Sequence, residues 1–136
     1  GELMQRDVVT LKADDTLDLA EDVMRLGRIR HMPVIAGERL VGLLTQRDLF
    51  RAAISSVLHF RPKADKEWLA KIRVGEVMTR DVVTTTPETS IQEAAGLLVK
   101  RKIGCLPVLE GGHLVGLLSE SDCLDYLVRI LGEGRA

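Results

Sequence analysis

The sequence predicts a mixed α/β (α+β) fold made from two copies of one β-α-β-β-α unit, and three observations carry that expectation. A shift of 74 residues lays positions 1–50 on 75–124 without a gap, and 19 of the 50 pairs are identical. Most of the identities fall in ordered blocks: Gly1 to Met4 with Gly75 to Met78, Arg6 to Thr10 with Arg80 to Thr84, Pro33-Val34 with Pro107-Val108, and Leu40 to Leu44 with Leu114 to Leu118. Hydrophobic spacing also switches between strand-like and helix-like periods at the same points in both copies. A unit of about 50 residues is below the size at which a domain readily stands alone, so the two copies are expected to complete one core between them.

Val8-Val9-Thr10 and Val82-Val83-Thr84 are β-branched runs that predict short strands, followed by turn residues at Ala13-Asp14-Asp15 and Pro87-Glu88-Thr89. Helices are predicted to start at Thr16 and Ser90, the second marked by the capping-box pair Ser90 and Glu93. Leu17, Ala20 and Met24, matched by Ile91, Ala94 and Leu98, recur at helical spacing and form the core-facing stripe. Two strands follow in each copy, Met32 to Ile35 and Leu40 to Leu44, then Leu106 to Leu109 and Leu114 to Leu118, with Gly37 and Gly111-Gly112 as hairpin turns. The non-alternating Leu-Val-Gly-Leu-Leu runs predict strands covered on both faces, and Gly42 and Gly116 predict close approach of another element or a ligand.

Closing helices are predicted after Thr45 and Ser119, with apolar stripes at Phe50, Ala53, Ile54, Val57 and Leu58, and at Leu124, Leu127, Val128 and Leu131. Those stripes exceed what one sheet face needs and predict a homodimer. The organisation expected is repeat 1 over 1–58, a basic connector over 59–73, and repeat 2 with a C-terminal helix over 74–136. The connector sets Arg61, Lys63, Lys66, Lys71 and Arg73 against Asp65 and Glu67, while Trp68, Leu69 and Ile72 are spaced to dock a short helix. Its charges read as a solvated face or as a basic docking site.

The bulk composition bounds the function. Lysines and arginines number 19 against 20 acidic residues, and there are four aromatics in all, which gives no support for a nucleic-acid surface. No apolar run reaches the ~20 residues of a membrane span and no signal-peptide core is present, so a cytoplasmic protein is expected. Cys105 and Cys123 form no C-x-x-C pair and read as small hydrophobes in a reducing compartment. Cys105 and His113 lack a third and fourth candidate for a zinc site, and no metal is expected. No nucleophile with its base, metal triad or phosphate-cradling glycine loop stands out, so no catalysis is expected. The start at Gly1, inside the first repeat, predicts a piece of a longer product.

The strongest local pattern is Gly42 to Asp48, repeated as Gly116 to Asp122. A hydroxyl at a strand end and a carboxylate three residues on, at a helix N-terminus, could accept from a sugar diol beside backbone N–H groups that favour an anion. Thr/Ser-x-x-Asp is equally a plain helix cap, and both readings stay open on spacing alone.

The tandem units, the opening Val77 to Thr84, the Ile-x-x-x-Pro-Val blocks at Ile29 to Val34 and Ile103 to Val108, and the closing Gly-x-x-Thr/Ser-x-x-Asp together resemble a pair of cystathionine-β-synthase (CBS) domains, the Bateman module. The resemblance covers positions 1–131. It implies two pseudo-symmetric repeats packed through their sheets, two clefts between them, and a disk-like homodimer. It also implies a regulatory module that senses AMP, ADP, ATP or S-adenosylmethionine and modulates a partner protein or its own dimer, with no obligatory cofactor. The alternative is a structural dimerisation module with vestigial clefts. By the resemblance, Asp48 and Asp122 match carboxylates that hold ribose hydroxyls, and Thr45 and Ser119 match neighbouring hydroxyl ligands. Val9, Thr10, Val83, Thr84, Met32 and Leu106 match segments lining an adenine slot. Arg30, His31 and Arg47 match basic positions that reach phosphate, where the second copy has Gly104, Cys105 and Ser121. The resemblance assigns that cationic set to the cleft built on Asp122, leaving the Asp48 cleft for a ligand with less phosphate or none.

Overall fold

A computed structural model describes residues 3–58 and 66–133. Arg61, Lys63 and Asp65 of the connector lie outside the described residues, as do the side chains of Val57, Leu58 and Lys66. The chain divides into two compact units: Val9–Val82, here the Asp48 unit, and Gly1–Val8 with Val83–Ala136, here the Asp122 unit. These units differ from the sequence repeats. Each holds the opening segment of the other repeat, so the duplicated sequence is shared out rather than folded copy by copy.

The Asp48 unit contains α1 (Leu17–Gly27), β1 (His31–Ala36), β2 (Arg39–Thr45), α2 (Gln46–Leu58), α3 (Lys66–Leu69) and α4 (Val74–Val77). The Asp122 unit contains α5 (Ile91–Arg101), β3 (Cys105–Glu110), β4 (His113–Ser119) and α6 (Glu120–Glu133). Helix α1 buries Leu17, Ala20 and Met24 and α5 buries Ala94 and Leu98, as their spacing requires. At the start of α5, Ser90 Oγ accepts from Glu93 N–H at 3.1 Å. The Thr16 hydroxyl instead donates to Asp18, and α1 starts without a side-chain cap. Both helices end on a residue in the left-handed region, Arg28 and Lys102 at φ 53° and 55°, a conformation that sequence composition did not mark because neither is glycine.

Strands β1 and β2 pair antiparallel through a two-residue turn, as do β3 and β4. Gly37 takes φ 65°, and Gly111 and Gly112 take 59° and 82°, the positive angles such tight turns demand. The register slips between Val34 and Ile35 and again between Val108 and Leu109. The freed amides explain the slip: Ile35 N–H donates to Leu11 O at 2.9 Å and Leu109 N–H to Thr85 O at 2.8 Å. Among the described residues these are the only traces of the predicted opening strands. Val8–Thr10 and Val82–Thr84 form no ladder, and single parallel bridges at Leu11 and Thr85 replace it. The physical reason is that the chain passes from one unit to the other within these runs, which leaves one residue of each run on one side and two on the other.

Each unit has its own apolar cluster. Leu17, Met32, Val34, Leu44, Leu69 and Val74 centre one, and Met4, Leu106, Val108 and Leu118 centre the other. Gly42 and Gly116 serve the close approach their sequence context predicts, and the approaching element is protein. A Cβ at Gly42 would stand 2.5 Å from Met78 Sδ and 3.0 Å from Thr79 O, and one at Gly116 would overlap Met4 Sδ and stand 3.0 Å from Gln5 O. The stripe residues Phe50 and Ile54 on α2, and Leu124, Leu127, Val128 and Leu131 on α6, are exposed.

Candidate ligand site

Each hairpin runs directly into a helix, and the junction is closed by a reciprocal pair of hydrogen bonds. Thr45 N–H donates to Asp48 Oδ2 at 3.0 Å, and Asp48 N–H donates to Thr45 Oγ1 at 3.1 Å. Ser119 N–H donates to Asp122 Oδ2 at 2.9 Å, and Asp122 N–H to Ser119 Oγ at 3.2 Å. The duplicated motif is therefore a helix cap in both units, which satisfies two amides that a helix start leaves orphaned. A cap of this kind also fixes a carboxylate, half exposed, at the positive end of the helix.

The two carboxylates differ in what else reaches them. Residues 5 and 79 are equivalent under the 74-residue shift, and each makes a two-bond backbone bridge, Gln5 with Leu117 at 2.8 and 3.0 Å and Thr79 with Leu43 at 2.8 and 2.9 Å. The Thr79 hydroxyl donates to Asp48 Oδ2 at 3.4 Å, so Asp48 Oδ1 accepts nothing among the described residues. The Gln5 amide instead donates to Asp122 Oδ1 at 3.0 Å, so both oxygens of Asp122 are engaged. Neither Gln5 nor Thr79 stood out in the sequence. The available signal was their mismatch inside an otherwise repeated Met-x-Arg-Asp block.

Other expected residues gather around these junctions. His31 pairs with Thr45 across the hairpin, and Arg30 O accepts from Gln46 N–H at 2.8 Å. Arg30, His31, Thr45, Arg47 and Asp48 thus share one end of the Asp48 unit's hairpin, with both arginines exposed and His31 half-buried. At the same end of the other hairpin stand Gly104, Cys105, Ser119, Ser121 and Asp122, with no cation among them. Val9 is exposed, and Thr10, Val83 and Thr84 are half-buried. Met32 and Leu106 are wholly buried in the two apolar clusters, so their side chains face no open space. Asp122 borders a hollow of ≈ 340 Å³ with Leu3, Asp125, Tyr126 and Arg129. The Arg129 guanidinium lies 5.5 Å from the centre of the Tyr126 ring.

A family model for the CBS domain matches residues 1–55 and 74–129. The chain belongs to the CBS-domain family. It is 34% identical over 135 residues to a CBS domain-containing protein of Dictyostelium discoideum, covering 96% of this chain and 91% of that protein. It is 36% identical over 118 residues to inosine-5'-monophosphate dehydrogenase of Korarchaeum cryptofilum, where the match covers 86% of this chain but only 22% of the enzyme. Among solved structures, one attributed to an acetoin utilization protein (AcuB) of Vibrio cholerae superposes with a TM-score of 0.81 at 33% identity, covering 98% of this chain and 93% of that one. A structure of CBSX2 in complex with AMP has a TM-score of 0.78 at 23% identity, covering 95% of each chain, and shares the fold.

This CBS-domain chain places its cysteines where their thiols stay protonated. Burial, reinforced by the Glu120 carboxylate, pushes Cys105 up to about 12 from an ordinary value of 9.0. Burial likewise raises Cys123, with Asp122 and Glu120 adding to it. A thiolate is the nucleophilic and metal-binding form, so neither residue is poised for that chemistry at neutral pH. Among the described residues no cluster of three or more His, Cys, Asp or Glu could hold a metal. No helix among them is long and apolar enough to cross a membrane.

Proposed function

We propose that this chain is a regulatory module that binds an adenosine-containing ligand, AMP, ADP, ATP or S-adenosylmethionine, and modulates a partner protein or its own dimer without catalysing a reaction. The observation that carries the reading is the duplicated carboxylate, held rigidly by its own cap at a helix N-terminus. A preorganised carboxylate can accept both hydroxyls of a ribose, while the helix end favours a phosphate. Arg30 and Arg47, exposed at one hairpin end, suit charge-assisted contacts to that phosphate. The AMP held by CBSX2, a protein of the same fold, supports the ligand class. Regulation then requires that the ligand bind one state of the module better than another.

The exposed apolar residues Leu124, Leu127, Val128 and Leu131 on α6, with Phe50 and Ile54 on α2, support a homodimer. One observation favours a second reading, a dimerisation module with vestigial clefts: the Thr/Ser-x-x-Asp groups already have structural work as caps. Titration calorimetry with AMP, ADP, ATP and S-adenosylmethionine separates the two. The sensing reading expects saturable binding that falls in Asp48→Asn or Asp122→Asn, which lose the charge but can still accept the cap bond, while the dimer persists. Silence across the panel with an intact dimer supports the second reading.

A further inference from the structure

We propose that Gln5 is a lock on the Asp122 carboxylate, making the Asp122 unit the weaker of the two for a ribose-bearing ligand. The inference rests on the adenosine reading above and assigns the difference between the two carboxylates to one side chain. Under the 74-residue shift the surroundings match: the same cap, the same backbone bridge, and a glycine against which Met4 or Met78 packs. Among the direct hydrogen bonds to the two carboxylates, it is the reach of residue 5 or 79 that differs. Thr79 sits at the edge of hydrogen-bond range on the oxygen the cap already uses, so Asp48 Oδ1 stays open among the described residues. The Gln5 amide takes the other oxygen of Asp122 at 3.0 Å.

A ribose diol approaching Asp122 must therefore displace an amide or accept one fewer acceptor site. The backbone bridge between Gln5 and Leu117 keeps that amide beside the carboxylate, so it competes as an intramolecular group rather than as a dilute solute. Releasing it needs only side-chain rotation. The lock tunes affinity and leaves the fold intact, and it runs against the ranking that the family resemblance implies.

The test measures AMP binding by calorimetry on the full chain, with Asp48→Asn isolating the Asp122 unit and Asp122→Asn isolating the other. Adding Gln5→Thr, which copies Thr79, to Asp48→Asn should tighten AMP binding about three- to tenfold, the net worth of one competing intramolecular hydrogen bond that the ribose hydroxyl partly replaces. Adding Thr79→Gln to Asp122→Asn should weaken it by a similar factor. Unchanged or weaker binding with Gln5→Thr overturns the lock and makes Gln5 a bystander or a ligand contact. If no variant binds AMP, the adenosine reading fails, and NMR of the ligand-free chain then decides the lock by itself. The side-chain amide signals of Gln5 should move in Asp122→Ala, and signals that stay in place overturn the lock.

Discussion

The Asp48 and Asp122 units are built from equivalent residues, yet one is filled and the other is open. In the Asp48 unit the last part of the connector, with Val74 after it, lies across the start of α1 and the middle of α2. Leu17 N–H donates to Ile72 O at 2.9 Å, Val74 N–H donates to Asp15 O at 2.7 Å, and Trp68 Nε1 reaches Ala52 O at 3.4 Å. Leu69 is 1% exposed in the apolar cluster. The residues equivalent to Asp15, Thr16, Leu17 and Ala52 are Thr89, Ser90, Ile91 and Tyr126, and these line a cleft of ≈ 350 Å³ in the Asp122 unit. The lesson is that the repeat alone leaves a gap beside its first helix, and a short apolar segment outside the repeat closes it in one unit.

The largest expected effect breaks that comparison at its filled side. Leu69→Ala should cost about 2–5 kcal/mol, the range for a large buried side chain that leaves a cavity. Tyr126→Ala, at the equivalent groove in the open unit, should cost less than about 1 kcal/mol because its ring already borders solvent. Urea unfolding of both variants checks this. Equal losses would mean that the cleft is as tightly packed as the filled groove.

The glycines test what the two units share. Gly42→Ala and Gly116→Ala should each cost about 1–3 kcal/mol, since each new methyl meets a carbonyl oxygen, Thr79 O or Gln5 O, at 3.0 Å as well as a methionine side chain. Met4→Ala should relieve only part of the Gly116→Ala loss in a double-variant cycle, because the backbone contact remains. Full rescue would mean that only the flexible thioether is in the way.

These features separate what was legible in the sequence from what it hid. The paired strands, the two-residue turns and the stripes Leu17-Ala20-Met24 and Ala94-Leu98 followed from period and punctuation, because each depends on contacts within one repeat. The close approach at Gly42 and Gly116 was equally readable, since a glycine within an apolar strand marks a neighbour too near for a side chain. The opening strands were misread. Val8–Thr10 has β-branched composition, but its pairing depends on which unit the chain is entering, and local propensity carries no such information. The site was legible as a pair of motifs and illegible as a pair of environments. Gln5 against Thr79 is a polar-for-polar difference, and only the distance to the carboxylate gives it meaning.

Position 31 and its equivalent, 105, sharpen the comparison by pH. His31 is half-buried at the start of β1, while Cys105 is buried at the start of β3 with its pKa pushed up to about 12. Below the ordinary value of 9.0 the thiol is neutral in both folded and unfolded chains, so it adds no pH dependence there. Above it the unfolded chain loses the proton first and is favoured, so stability falls toward pH 12 by at most about 1.4 kcal/mol per pH unit. Cys105→Ala should remove that part of the slope, read as the difference between wild-type and variant unfolding free energies from pH 8 to 11. A variant with the wild-type slope would mean that the Cys105 thiol ionises in the folded chain as readily as in water.

The smallest expected effects concern the caps, where the two units should agree. Thr45→Ala and Ser119→Ala each remove one hydroxyl acceptor from a helix start, and each should cost about 1 kcal/mol. The prediction is of equality, because the bonds lost, 3.1 and 3.2 Å, are alike and neither hydroxyl meets Gln5 or Thr79 among the described bonds. Equal stability losses with unequal effects of Gln5→Thr and Thr79→Gln on ligand binding would place the asymmetry in the second oxygen of each carboxylate rather than in its cap. A markedly larger loss from Ser119→Ala would mean instead that the Asp122 cap carries strain of its own, and the difference between the units would then begin at the helix start.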